Sequence, residues 1–112
     1  MQTIVQAICT TGESLRDAIG ADTRIGRYGL QVTSQQTPGR SPGWTKLHSV
    51  TEPPRPGAIN IEWDPRSSML TCRIVTRGSR KPSVIVGDLV AYLVHEYSAR
   101  IKAITVVPRM GG

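Results

Sequence analysis

The chain has no phenylalanine, and its aromatic complement is two tryptophans and three tyrosines in 112 residues. Modules that recognise single-stranded nucleic acid by stacking successive bases need several exposed rings. The patterns below turn Trp63 and Tyr97 toward the core, which leaves Trp44 and Tyr28 for the surface. A sheet that works mainly by stacking is therefore disfavoured. Cysteine is scarce too: Cys9 and Cys72 both stand in apolar, strand-like runs. A secreted domain that depends on a disulfide scaffold usually carries more, so the two are read as reduced, buried thiols of a cytoplasmic protein. A single bridge between them requires that their strands be neighbours.

Other absences narrow the chemistry. His48 and His95 raise the count of soft ligands to four, but no C-x-x-C or H-x-x-x-H pairing exists and no metal is assigned. Neither a G-x-x-x-x-G-K-[ST] loop nor a G-x-G-x-x-G turn is present, and nucleophile signatures of the Ser-His-Asp or Cys-His kind are missing. No cofactor and no catalytic residue is assigned. No apolar run approaches the ~18 residues of a membrane span. The opening Met1-Gln2-Thr3-Ile4 lacks a basic region followed by an apolar one, so neither a membrane partner nor a signal peptide is expected. No internal repeat or low-complexity tract is found.

What is abundant is positive charge. Fourteen Lys and Arg oppose eight Asp and Glu for a net +6, and eleven of the fourteen are Arg. The planar guanidinium fork suits phosphate and carboxylate better than a hydrated ammonium does. Such a balance leans toward polyanions, although a net charge of ~2–8 also serves plain solubility in a small domain. The tightest cluster is Arg73, Arg77, Arg80 and Lys81, with no acid between Asp64 and Asp88.

The length fits one domain spanning 1–112. Thr3 to Cys9 (TIVQAIC) reads as a strand. Thr10 and Glu13 fit a capping box for a helix over Thr11 to Ile19, with Gly20 as its left-handed cap. Arg24 to Gly29 reads as a connection, and Tyr28 to Gln35 alternates as a half-buried strand. Residues 34–57 hold five of the eight prolines and read as an irregular segment, with Trp44 to Val50 a short edge strand inside it. Ala58 to Trp63 and Met69 to Arg77 form a hairpin through the turn Asp64-Pro65-Arg66-Ser67. Its inner face takes Ile59, Ile61, Trp63, Leu70, Cys72 and Ile74, and Glu62 can pair with Arg73 on the outer one. Ser83 reads as the cap of a helix running to Tyr97 on Val86, Leu89, Val90, Leu93, Val94 and Tyr97. Ile101 to Val107 returns to strand, Pro108 stops it, and 109–112 read as a frayed tail. The order β-α-β-β-β-β-α-β implies a two-layer α+β sandwich, with a mixed or antiparallel sheet of about five strands and two helices on one face. The other face is left open.

Three candidate sites follow. The first is the open face with Arg73 and Arg77, joined by Gln31, Thr33 and Gln35, as a platform for a nucleic-acid backbone. The second is the basic turn containing Arg80, Lys81 and Ser83 before the long helix, as an anion site. The third is the loop around Arg40, Trp44, Lys46 and His48, as a contact for a partner or ligand. The resulting expectation is a basic binding module whose partner is nucleic acid or another polyanion. The alternative is a protein-interaction module that binds an acidic protein or itself, as a homodimer paired through exposed sheet edges. A third reading is a small ribonuclease with His48 or His95 as general base.

Overall fold

A computed structural model of the chain describes residues 2–37, 39, 43–50, 57–76 and 82–110, the last two by backbone alone. The strands are β1 (Gln2–Cys9), β2 (Leu30–Gln36), β3 (Trp44–Ser49), β4 (Ala58–Asp64), β5 (Met69–Val75) and β6 (Ile101–Met110). The helices are α1 (Leu15–Gly20), a 3-10 helix (Thr23–Tyr28) and α2 (Ser83–Tyr97). All six strands join one antiparallel sheet in the order β2-β3-β4-β5-β1-β6. The expected α+β class holds, with a sixth strand and a third helical segment.

Alternation builds the two layers. Val5, Ala7 and Cys9 of β1, Leu47 of β3, Ile59, Ile61 and Trp63 of β4, and Leu70, Cys72 and Ile74 of β5 form one core. The same core takes in Leu15 and Ile19 of α1, Ile25 of the 3-10 helix, and Ile85, Leu89, Tyr92 and Leu93 of α2. Every helical segment thus packs on one face of the sheet. No helix among the described residues is long and apolar enough to cross a membrane.

Several boundaries differ from expectation for identifiable reasons. The N-cap moves four residues on: Ser14, not Thr10, accepts the hydrogen bond from the Asp17 backbone N–H at 3.3 Å. Thr10 instead receives a hydrogen bond from Arg100 Nε at 3.3 Å. Gly20 lies inside α1, whose cap Ala21 is right-handed. The expected connection after it is helical because the Asp22 carboxylate caps the Arg24 N–H at 2.9 Å. Trp44–Ser49 is an inner strand, not an edge, since no proline falls within it and both sides keep their donors.

Ser83 is the first helical residue and exposed, and Pro82 stands at the cap without a side-chain bond. The buried stripe of α2 is rotated from the expected one. It centres on Ile85, Leu89, Tyr92 and Leu93, with Val86 and Val90 half-buried and Val94 49% exposed. Pro108 does not end the last strand, and Arg109 and Met110 belong to it rather than to a frayed tail. β6 is an edge, so one side of its backbone has no ladder to interrupt. Cys9 and Cys72 lie on neighbouring strands, but Cys72 stands opposite Val5 and both thiols are free. Burial pushes the Cys72 thiol up to about 12.

One buried cation also shapes this layer. Arg16 is 2% exposed, donates from Nε to Asp17 Oδ1 at 3.2 Å and lies against the chain between β2 and β3. A Cβ at Gly43 would stand 2.7 Å from both Arg16 Nη1 and the Gln36 carbonyl oxygen. Gly87, within α2, has open space around it. Urea denaturation is expected to show Gly43→Ala destabilising the fold by about 1–3 kcal/mol through overpacking. Gly87→Ala should stabilise it by about 0.5–1 kcal/mol, because alanine loses less backbone freedom in a helix.

Candidate nucleic-acid interface

The face of the sheet that no helix among the described residues covers is set by strand parity. In β3, Thr45, Leu47 and Ser49 are buried toward the helices, so Trp44, Lys46 and His48 share the outer face. In β4 and β5 the outer residues are Ala58, Asn60, Glu62 and Asp64, then Met69, Thr71, Arg73 and Val75. Register aligns them in rows. One row reads Ser34, Lys46, Asn60, Arg73, Ile4 and Val107, and the next reads Gln36, Trp44, Glu62, Thr71, Gln6 and Thr105. Lys46 and Arg73 are two strands apart, about 10 Å at the usual strand spacing.

Residues assigned to separate segments of the sequence therefore converge. Trp44, Lys46 and His48 are not loop residues but alternate positions of one strand, on the same face as Arg73. Gln31 joins them opposite His48. Gln35 does not. A bulge between Val32 and Ser34 inserts one residue, which sends Gln35 to the helix side and turns Ser34 and Gln36 outward. Arg40, Arg77, Arg80 and Lys81 lie outside the described residues.

Among the described residues the outer face of β2–β5 carries two carboxylates. Glu62 Oε1 lies 3.6 Å from Arg73 Nε, a diagonal pair with both side chains about half exposed. Such an exposed pair contributes no more than about 1 kcal/mol, so it steadies Arg73 without sequestering it. Asp64 is turned into the hairpin loop. Its carboxylate accepts from the Arg66 N–H at 3.0 Å and Ser67 Oγ at 2.9 Å, and these bonds hold it below its ordinary range.

The helix side holds a different constellation, one the sequence did not disclose. Asp22 Oδ2 accepts hydrogen bonds from Tyr92 Oη at 2.7 Å and Tyr97 Oη at 2.8 Å. Its Oδ1 accepts from Arg24 Nε at 2.9 Å, and Arg24 Nη1 pairs with Glu96 at 2.6 Å. Glu96 also accepts from Tyr28 Oη at 2.8 Å, and Tyr28 meets Tyr92 edge-on at 5.3 Å. Tyr28 is thus a half-buried strut rather than a surface ring. Arg24 holds the Asp22 carboxyl far below the usual range, with the tyrosine hydroxyls adding to it, while burial pushes Tyr92 up. The donors and acceptors are matched and the cluster is closed, so it pins the 3-10 helix to α2. The only local sign in the sequence is an Asp two residues before an Arg; its tyrosine partners are 70 and 75 residues away.

His48 and His95 sit on opposite sides of the sheet, His48 outward on β3 and His95 on α2 with its ring 6.1 Å from that of Tyr28. Among the described residues no group of three His, Cys, Asp or Glu side chains is placed to hold a metal ion. Comparison of the chain with protein-family models, with curated proteins and with solved structures finds no match.

Asp22 is expected to govern acid stability. Its folded pKa lies below the unfolded value of ~3.9, so its contribution is complete above that value and is lost as pH falls toward the folded one. Urea midpoints at pH 7 should place Asp22→Asn about 2 kcal/mol below the wild type. The deficit should shrink steadily as both are taken down through pH 3.

Proposed function

We propose that the chain is a non-enzymatic binding module that holds a polyanion, nucleic acid first, against the outer face of its sheet. The observation that carries this reading is the convergence of Lys46, His48, Arg73 and Trp44 on the sheet face that no helix among the described residues covers. Lys46 and Arg73 supply the attraction to phosphate oxygens, with Asn60 between them as a hydrogen-bonding side chain. Trp44 offers one ring for one base or sugar, which fits the poverty of aromatics. Arg77, Arg80 and Lys81 follow β5 in sequence and enter the proposal through their charge alone.

Charge distribution supports the same reading. On the helix side Asp17 is engaged by Arg16, and Asp22 and Glu96 by Arg24. Three of the eight acids are thus spent on two arginines there, which leaves twelve cations against five acids on the rest of the chain. Glu62 acts as a weak competitor that phosphate can displace from Arg73.

Binding to generic single-stranded DNA and RNA, followed by fluorescence anisotropy across a salt series, tests the proposal. The expected outcome is micromolar or tighter binding at low salt that weakens steeply toward physiological salt. Lys46→Ala and Arg73→Ala should each lower affinity about three- to tenfold and flatten the log–log salt slope by about one. Glu62→Gln should strengthen binding. No binding at low salt, or mutants indistinguishable from wild type, would refute it.

A further inference from the structure

The two edges of the sheet are not equivalent. β2 is interrupted at its centre by the bulge between Val32 and Ser34, and Gln31, Thr33, Ser34, Gln35 and Gln36 are exposed polar residues. β6 is uncharged from Ala103 to Val107, with Val106 41% exposed. The direction of its backbone groups follows from its neighbour. The Cys9 N–H donates to the Ser68 carbonyl at 2.9 Å, on the β5 side of β1. Backbone groups alternate sides along a strand, so Ile4, Gln6 and Ile8 turn theirs to β6. Their partners Val107, Thr105 and Ala103 face back, and Ile104 and Val106 aim their N–H and C=O groups away from the sheet. No strand among the described residues pairs with that side.

The stretch is bounded at both ends. Register shifts between Ile8 and Cys9, placing a bulge beside Lys102, and Pro108 has no N–H to give. Bulge, lysine and proline are devices that block edge pairing, and here they leave only the middle open. Lys102 and Pro108 stand three positions either side of Thr105. A two-fold axis through Thr105 therefore sets Ile104 of one copy opposite Val106 of the other, with every outward N–H and C=O of the two paired. Thr105 meets Thr105 on the axis, and Lys102 falls opposite Pro108, so no like charges are opposed.

We propose that the free edge of β6 pairs antiparallel with β6 of a second copy of this chain, closing a symmetric dimer with one continuous twelve-stranded sheet. The bounded, self-complementary stretch makes this contact isologous and finite rather than an open-ended stack. Since each copy carries +6, the dimer is strengthened by added salt, opposite to the salt response expected of polyanion binding. The two proposals can therefore fail separately.

Sedimentation equilibrium without nucleic acid, at about 0.5 M salt where surface repulsion is screened, tests the dimer. Wild type should pass from monomer to dimer with concentration. Thr105 is exposed, so Thr105→Lys and Thr105→Glu should leave the fold intact by circular dichroism. Each should weaken self-association at least about tenfold, because like charges meet on the axis. An equimolar mixture of the two should recover the dimer as a Lys–Glu heterodimer. The proposal is overturned by a wild type that stays monomeric to about 1 mM, by folded variants that dimerise as the wild type does, or by a mixture that fails to recover.

Discussion

A sheet has two faces, and the helical segments of this chain cover one of them. That asymmetry decides where everything else goes. The covered face takes the apolar alternate residues of β1, β3, β4 and β5 and packs them on α1, the 3-10 helix and α2. The face turned away from the helices inherits the other parity: Trp44, Lys46 and His48, then Ala58, Asn60, Glu62 and Asp64, then Met69, Thr71, Arg73 and Val75. A shift of one residue in any strand would exchange the two sets, so burial of the core fixes the composition of the outer surface as firmly as it fixes the interior.

The helical layer is held by polar as well as apolar contacts. Its hub is Asp22, which accepts from Arg24, Tyr92 and Tyr97 and so ties the 3-10 helix to α2 across 70 or more residues of sequence. Tyr92 is fully buried, and the Asp22 carboxylate satisfies its hydroxyl. That contact explains why the buried stripe of α2 turns toward Tyr92 and leaves Val94 at the surface. It also draws two acids, Asp22 and Glu96, into the helix side, away from the outer face of the sheet.

Much of this was legible in the sequence where the signal is local. The hairpin of β4 and β5 could be read from its alternation and from Asp64-Pro65, and the inner and outer faces fell as expected. The α+β class followed from the same patterns, whereas the place of each strand in the sheet did not. Three kinds of feature were not legible. Bulges change parity without changing composition, so alternation alone puts Gln35 on the wrong face. Edge and inner strands look alike in sequence, so flanking prolines set Trp44–Ser49 at the rim and Pro108 reads as a stop although it lies within an edge strand. Long-range polar partners leave no periodic trace, which hid the Asp22 hub. For the candidate interface, the residue types were evident from sequence, but their gathering on one face required the register that sets β3 beside β4 and β4 beside β5.

On the proposed reading the partner sits on the outer face of β3–β5, and chemical-shift mapping of the isotopically labelled protein with a short single-stranded oligonucleotide decides the matter. Perturbations are expected to concentrate at the Trp44 indole and at the side chains and amides of Lys46, His48, Asn60 and Arg73, with α2 unaffected. Shifts confined to the helix side, or scattered evenly over the surface, would contradict it.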